Sequence, residues 1–151
     1  MSELQPFIDR LSALINNLSP QARKQIATAV ARKLRVSQQQ NIKRQQAPDG
    51  TPFKPRKTQP IRKKKGRIRR EMFAKLRTAK YMKAKGTAND ATVEFAGRVQ
   101  RMARVHHYGL RDRPVRGAED VQYEARPLLG FNENDIQKVQ EIIIQKLASS
   151  N

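Results

Sequence analysis

The sequence predicts an α+β domain: a small antiparallel sheet flanked by N-terminal and C-terminal helices, with a basic Pro/Gly-containing loop. Three observations predict it. Apolar residues recur at spacings of three and four near both ends of the chain, they alternate with polar residues around positions 82–95, and prolines, glycines and cations crowd the stretch from about 48 to 70. The 151 residues suit a single domain spanning 1–151, with a basic, mobile arm at about 48–70. On folding, such a chain buries about two-thirds of its unfolded surface around one modest core.

In chain order, Leu4, Phe7, Ile8, Leu11, Leu14, Ile15 and Leu18 place one apolar stripe on a helix over Glu3–Leu18. Ser19 followed by Pro20 is a helix start, because a serine hydroxyl accepts from orphan N–H groups and proline is tolerated at the first helical position. The second helix is expected from Pro20 to about Gln46. Ile26, Val30 and Leu34 form its buried stripe, and its polar end, "SQQQNIKRQQ", is expected to project from the core. Pro48, Pro52, Pro55, Pro60, Gly50 and Gly66 then exclude a long helix or a central strand. Glu71 to Arg77 predicts a short helical turn through Met72, Phe73 and Leu76.

"YMKAKGTANDATVEFAG" alternates Met82 and Ala84 with Lys83 and Lys85, then Val93 and Phe95 with Thr92 and Glu94. This is a hairpin around Asn89 and Asp90. Arg98–His107 returns to helical spacing and stops where Gly109 offers a left-handed cap. "RDRPVRGAED" is a polar loop, and "VQYEARPLLGF" supplies one or two short strands, limited by Pro127. The last helix is expected over about Asn132–Leu147, with Ile136, Val139, Ile143 and Leu147 inward and Glu133 and Asp135 at its positive end.

Charge narrows the partners. The formal charge is +19, and residues 54–85 hold 15 basic residues against 1 acidic one. Such a field favours polyanions or acidic protein surfaces, and its self-repulsion opposes compaction of the middle segment. The candidate polyanion or acidic-partner contacts are Arg62, Lys63, Lys64, Lys65, Arg67, Arg69 and Arg70. They would neutralise phosphates without base preference, and no aromatic lies among them to stack on bases. DNA is therefore one candidate contact of the arm.

The histidines bear on catalysis. His106 and His107 are the only two in the chain, and adjacency places them about 100° apart on a helix, whereas paired helical zinc ligands lie a turn apart. The chain has no cysteine, no serine or threonine sits in a nucleophile signature, and the carboxylates do not cluster. The expectation is no enzyme, no metal and no cofactor. No stretch approaches the roughly 20 apolar residues of a membrane span, and the N-terminus lacks a secretory pattern, so a soluble, membrane-free life in the cytoplasm where it is made is expected.

The order of elements, with "QQNIKRQQAPDGTPFKPRK", then "ARVHHYGL", then "ARPLLGF" before a final helix, resembles the phage virion morphogenesis family of tail-completion proteins of contractile-tailed temperate phages. The most specific pieces are Ala103, Arg104, His106 and Gly109 of one corner and Ala125, Arg126, Pro127, Leu129 and Gly130 of the other. The family commonly sets an aromatic, often tryptophan, shortly after a glycine in the first loop; here Gly50 and Phe53 stand there. The resemblance implies a structural role: completing the tail and making it competent for head-tail joining. Its implied partners are the chain itself as a ring oligomer and tail-tube or neck proteins, and its implied location is the virion tail or neck. On this reading Arg104, His106, Gly109, Arg126 and Pro127 are structural or subunit contacts. The rival reading is a basic nucleic-acid-binding protein of ribosomal type.

Overall fold

The computed structural model describes residues 4–56 and 71–149. The fold is α+β, with four helices and two separate two-stranded sheets among the described residues. The helices are α1 (Leu4–Asn16), α2 (Pro20–Lys43), α3 (Gln100–Tyr108) and α4 (Glu133–Ser149). A hairpin joins β1 (Met82–Gly86) to β2 (Ala91–Phe95), and β3 (Arg111–Asp112) pairs antiparallel with β4 (Val121–Gln122).

The chain divides into two compact units. One comprises residues 1–37, 83–94 and 132–151, and the other residues 38–82 and 95–131. In the first, Ile26, Val30 and Leu34 form the buried cluster on α2, and Leu18, Ala91, Val93, Val139, Ile142, Ile143 and Leu147 pack against it. The Ser19 hydroxyl accepts from the Ala22 N–H at 3.1 Å, which starts α2 where Ser-Pro places it. Gly86 ends β1 against α2: a Cβ there would lie 2.2 Å from the Thr28 nitrogen, so only glycine permits the approach. At the start of α4, Asn132 Oδ1 accepts from the Asp135 N–H and Asp135 Oδ2 accepts from the Asn132 N–H, at 2.9 and 3.1 Å. This reciprocal capping box satisfies two orphan donors. Asp135 is 1% exposed, and the Ser37 hydroxyl donates to its other oxygen.

Several expectations need correction. The polar end of α2 does not project: Gln38, Asn41 and Ile42 are 2%, 6% and 0% exposed. Polar side chains there continue the three-four spacing of the apolar stripe, and for Gln38 burial is tolerated because it pairs with a peptide group, its Nε2 donating to the Gly130 carbonyl and its Oε1 accepting from the Gly130 N–H. The Glu71–Arg77 stretch is a series of tight turns rather than a helix, with Leu76 buried and Phe73 at φ 64°. Within α4 the inward stripe includes Ile142, while Ile136 is 49% exposed. The polar loop after α3 contains β3, whose pairing with β4 is made by main-chain groups that side-chain pattern does not reveal.

Candidate assembly site

Two chain corners that lie apart in sequence are docked on each other in the second unit. α3 carries Ala103 and Val105 inward and ends at Gly109, which takes φ 67° and ψ 56°. The N–H groups of Gly109 and Leu110 both turn back to the Val105 carbonyl. Glycine is required there twice over. Its left-handed backbone disfavours a side chain, and a Cβ would stand 2.7 Å from the nitrogen of Ala125.

The segment from Tyr123 to Leu128 runs along this helix end. Tyr123 N–H donates to the Leu110 carbonyl at 3.1 Å, Arg126 N–H to the His106 carbonyl at 2.7 Å, and Leu128 N–H to His107 Nδ1 at 3.0 Å. Pro127 sits between two of these donors and has no N–H of its own to satisfy. Gln122 Nε2 closes the corner on the Gly109 carbonyl at 2.7 Å.

His107 is held by a hydrogen bond and His106 by ring packing, its buried Nδ1 having no hydrogen-bond partner among the described residues. His106 lies between Phe73 and Tyr123, with ring centroids 5.1 and 4.8 Å away, and Phe53 extends the row to Phe73 at 5.7 Å. All three contacts are edge-to-face, the arrangement ring quadrupoles favour. Burial, and secondarily the charge of Arg126, push the His106 pKa below its usual value; burial does the same for His107. A neutral His107 with its proton on Nε2 is the form that accepts from Leu128.

Arg126 is 7% exposed and ties the corner to the first loop. Its Nε donates to the Lys54 carbonyl at 2.9 Å and an Nη to the Pro55 carbonyl at 3.1 Å. On that loop, Phe53 is buried and its N–H donates to the Gln45 carbonyl at 2.8 Å. Gln45, left-handed at φ 55°, ends α2, and its side-chain amide grips both the N–H and the carbonyl of Met72 at 2.8 Å each. Phe53, Lys54 and Pro55, assigned from sequence to the arm, thus bond to folded neighbours. Arg62, Lys63, Lys64, Lys65, Arg67, Arg69 and Arg70 lie outside the described residues.

The structure therefore brings His106, Gly109, Arg126 and Pro127 together and leaves Arg104 apart: it is exposed and has no hydrogen-bond or ion-pair partner among the described residues. Tyr108 and Leu110, 65% and 38% exposed, also face outward. Sequence reasoning missed Gln38, Gln45, His107, Phe73 and Tyr123 as parts of the site. For Gln38 a signal existed, since it continues the spacing of Ile26, Val30 and Leu34; for Gln45 none did. Among the described residues, no three His, Asp or Glu side chains gather where they would hold a metal.

The sequence pattern of the phage virion morphogenesis family matches residues 2–148. The chain belongs to that family. It is similar to the tail completion protein S of Escherichia phage P2, with 43% identity over 148 residues that cover 97% of this chain and 99% of the relative. No solved structure matches it. For this member of the virion morphogenesis family, the docked corners join two stretches, "ARVHHYGL" and "ARPLLGF", through main-chain hydrogen bonds and one glycine contact. No described helix is long and apolar enough to cross a membrane.

Proposed function

We propose that the chain is a structural, non-enzymatic tail-assembly protein that completes the phage tail and makes it competent for head-tail joining. The observation that carries this reading is membership of the virion morphogenesis family over residues 2–148, in a chain whose relative is named a tail completion protein. The ribosomal-type alternative finds no support in that match. The chain acts on tail-tube or neck proteins in the host cytoplasm, as an oligomer of ring form, since tail ends are rings and heterologous contacts close into them. Within the docked corners the residues divide by role. Gly109, Pro127, His106 and Arg126 build the platform, and Arg104 with Tyr108 presents it to a neighbouring subunit. The basic arm serves as a separate contact for acidic protein or DNA.

Complementation tests this. Lysates lacking the endogenous protein are supplied with each purified variant and scored for infectious particles. Arg104→Ala is expected to keep the wild-type thermal midpoint and lose particle yield. Arg126→Ala is expected to lose both, because truncation removes a buried side chain and its two hydrogen bonds to the Lys54 and Pro55 carbonyls, each worth about 0.5–1.5 kcal/mol. Reversing Lys63, Lys64 and Lys65 to Glu lowers polyanion affinity and its salt dependence while particles still form. Full yield from both arginine variants with none from the lysine reversal would move the tail contact from the corner to the arm.

A further inference from the structure

Helix α1 is only partly used by its own unit. Leu11 and Ile15 are half-buried, and Leu18, just beyond the helix, packs on the Ile26, Val30 and Leu34 cluster. Phe7, Ile8 and Leu14 belong to the same apolar set yet remain 37%, 40% and 52% exposed. Phe7 and Leu14 are seven residues apart, so they stand on one seam of the helix. Seven-residue apolar spacing is what allows two helices to interlock side by side.

Charge selects what covers this seam. The chain carries +19, and α2 alone has six basic residues and no acidic one. Within α1 the only charged residues are Asp9 and Arg10, so its net charge is zero. An acidic partner gains nothing from a neutral helix and is drawn to the cationic surfaces instead. Two copies of a +19 chain repel each other over most of their surface, and through α1, which carries no net charge, apolar burial meets little opposing charge. The chain's own segment 57–70, "KTQPIRKKKGRIRR", is the wrong chemistry for the seam: its apolar aliphatic side chains beyond proline are Ile61 and Ile68, set among eight cations.

We propose that α1 is a self-association surface, its Phe7–Leu14 seam packing on the same seam of a second copy. The contact is isologous, with Phe7 of one copy against Leu14 of the other and the reverse, so it pairs two copies and leaves ring closure to a separate heterologous contact. It rests on the oligomer reading given above and adds to it a pairing surface on α1, which leaves Arg104 and Tyr108 free for the neighbouring subunit they are proposed to meet. Because burial here works against like-charge repulsion, the association tightens as salt rises. A contact held by cations on an acidic partner or on phosphate weakens instead.

The test uses the full chain and the variant Phe7→Gln/Leu14→Gln, which keeps good helix formers at exposed positions. Sedimentation equilibrium up to about 100 μM, at roughly 50 mM and 0.5 M salt, reads the mass against the 17.3 kDa chain. The expected result is a wild-type oligomer favoured by salt and a variant whose self-affinity is at least about tenfold weaker, with unchanged helicity and thermal midpoint. A wild-type oligomer that the double substitution leaves intact overturns the α1 surface and spares the oligomer reading. A monomeric wild type at both salts overturns both. Particle complementation by the wild-type chain is scored separately: its failure beside a salt-favoured, α1-dependent oligomer removes the tail role and leaves this surface standing.

Discussion

At the scale of single residues, the corner depends on groups with no substitute. Gly109→Ala imposes a left-handed backbone on a Cβ, at about 1–2 kcal/mol, and drives that atom into the Ala125 backbone, at about 1–3 kcal/mol more. Urea unfolding is expected to register a loss of about 2–5 kcal/mol. Gly97→Ala, where nothing lies within 4 Å and φ is not positive, is expected to be neutral or slightly stabilising. The histidines set a pH dependence. Both folded-state pKa values lie below the ordinary 6.5, so as pH falls the unfolded chain takes up protons first. Their contribution is therefore complete above about pH 6.5 and is lost as pH falls from there through the folded-state values. Protonated His107 also cannot accept from the Leu128 N–H. Unfolding midpoints measured from about pH 8 down to pH 5 should decline, and His106→Phe should flatten part of that slope. An equal slope in the variant would remove His106 from the account.

At the scale of elements, the helix starts and the hairpin are held by short-range chemistry. Asn132→Ala removes the acceptor for the Asp135 N–H and is expected to cost about 1 kcal/mol. Asp135→Ala costs more, since Asp135 also accepts from the Ser37 hydroxyl and the Asn132 N–H. The double variant is expected to lose less than the sum, because the two residues share one box. Chemical denaturation of the four proteins in that cycle provides the comparison. The hairpin depends on steric room: Gly86→Ala places a methyl 2.2 Å from the Thr28 nitrogen, so the strand must move off α2. Faster amide exchange in β1 and β2 than in wild type is expected, and unchanged protection would mean that the helix yields instead.

At the scale of the whole molecule, charge opposes compaction. With 32 basic and 13 acidic residues, self-repulsion is a long-range cost that salt screens within about 10 Å at 0.1 M. The described ion pairs, such as Lys54–Glu124 at 2.8 Å and Arg101–Asp112 at 2.7 Å, are exposed on at least one side and offset little of it. The thermal midpoint is therefore expected to rise as sodium chloride increases from roughly 20 mM to 0.3 M, with no comparable rise when a neutral solute replaces the salt. A midpoint that falls with salt would mean that local ion pairs outweigh the net field.

Local rules written along the chain determined the α+β class, the four helices, the Ser19 start of α2, the hairpin at residues 82–95 and the stop at Gly109. Each depends on neighbours within a few residues: periodicity, a cap or a turn. The resemblance carried by "ARVHHYGL" and "ARPLLGF" was legible for the same reason, since both are contiguous. Only the tertiary structure decided that these two stretches dock on each other, that one face of the glutamine-rich end of α2, through Gln38, Asn41 and Ile42, is buried, and that Arg126 reaches Lys54 and Pro55 while Arg104 stays exposed. Those facts turn on which peptide groups meet across long separations, as Gln38 meets Gly130 and Gln45 meets Met72. A glutamine that will satisfy a buried peptide and one that will face water are the same residue in sequence. The partner that makes burial tolerable is supplied only when the chain has folded around it.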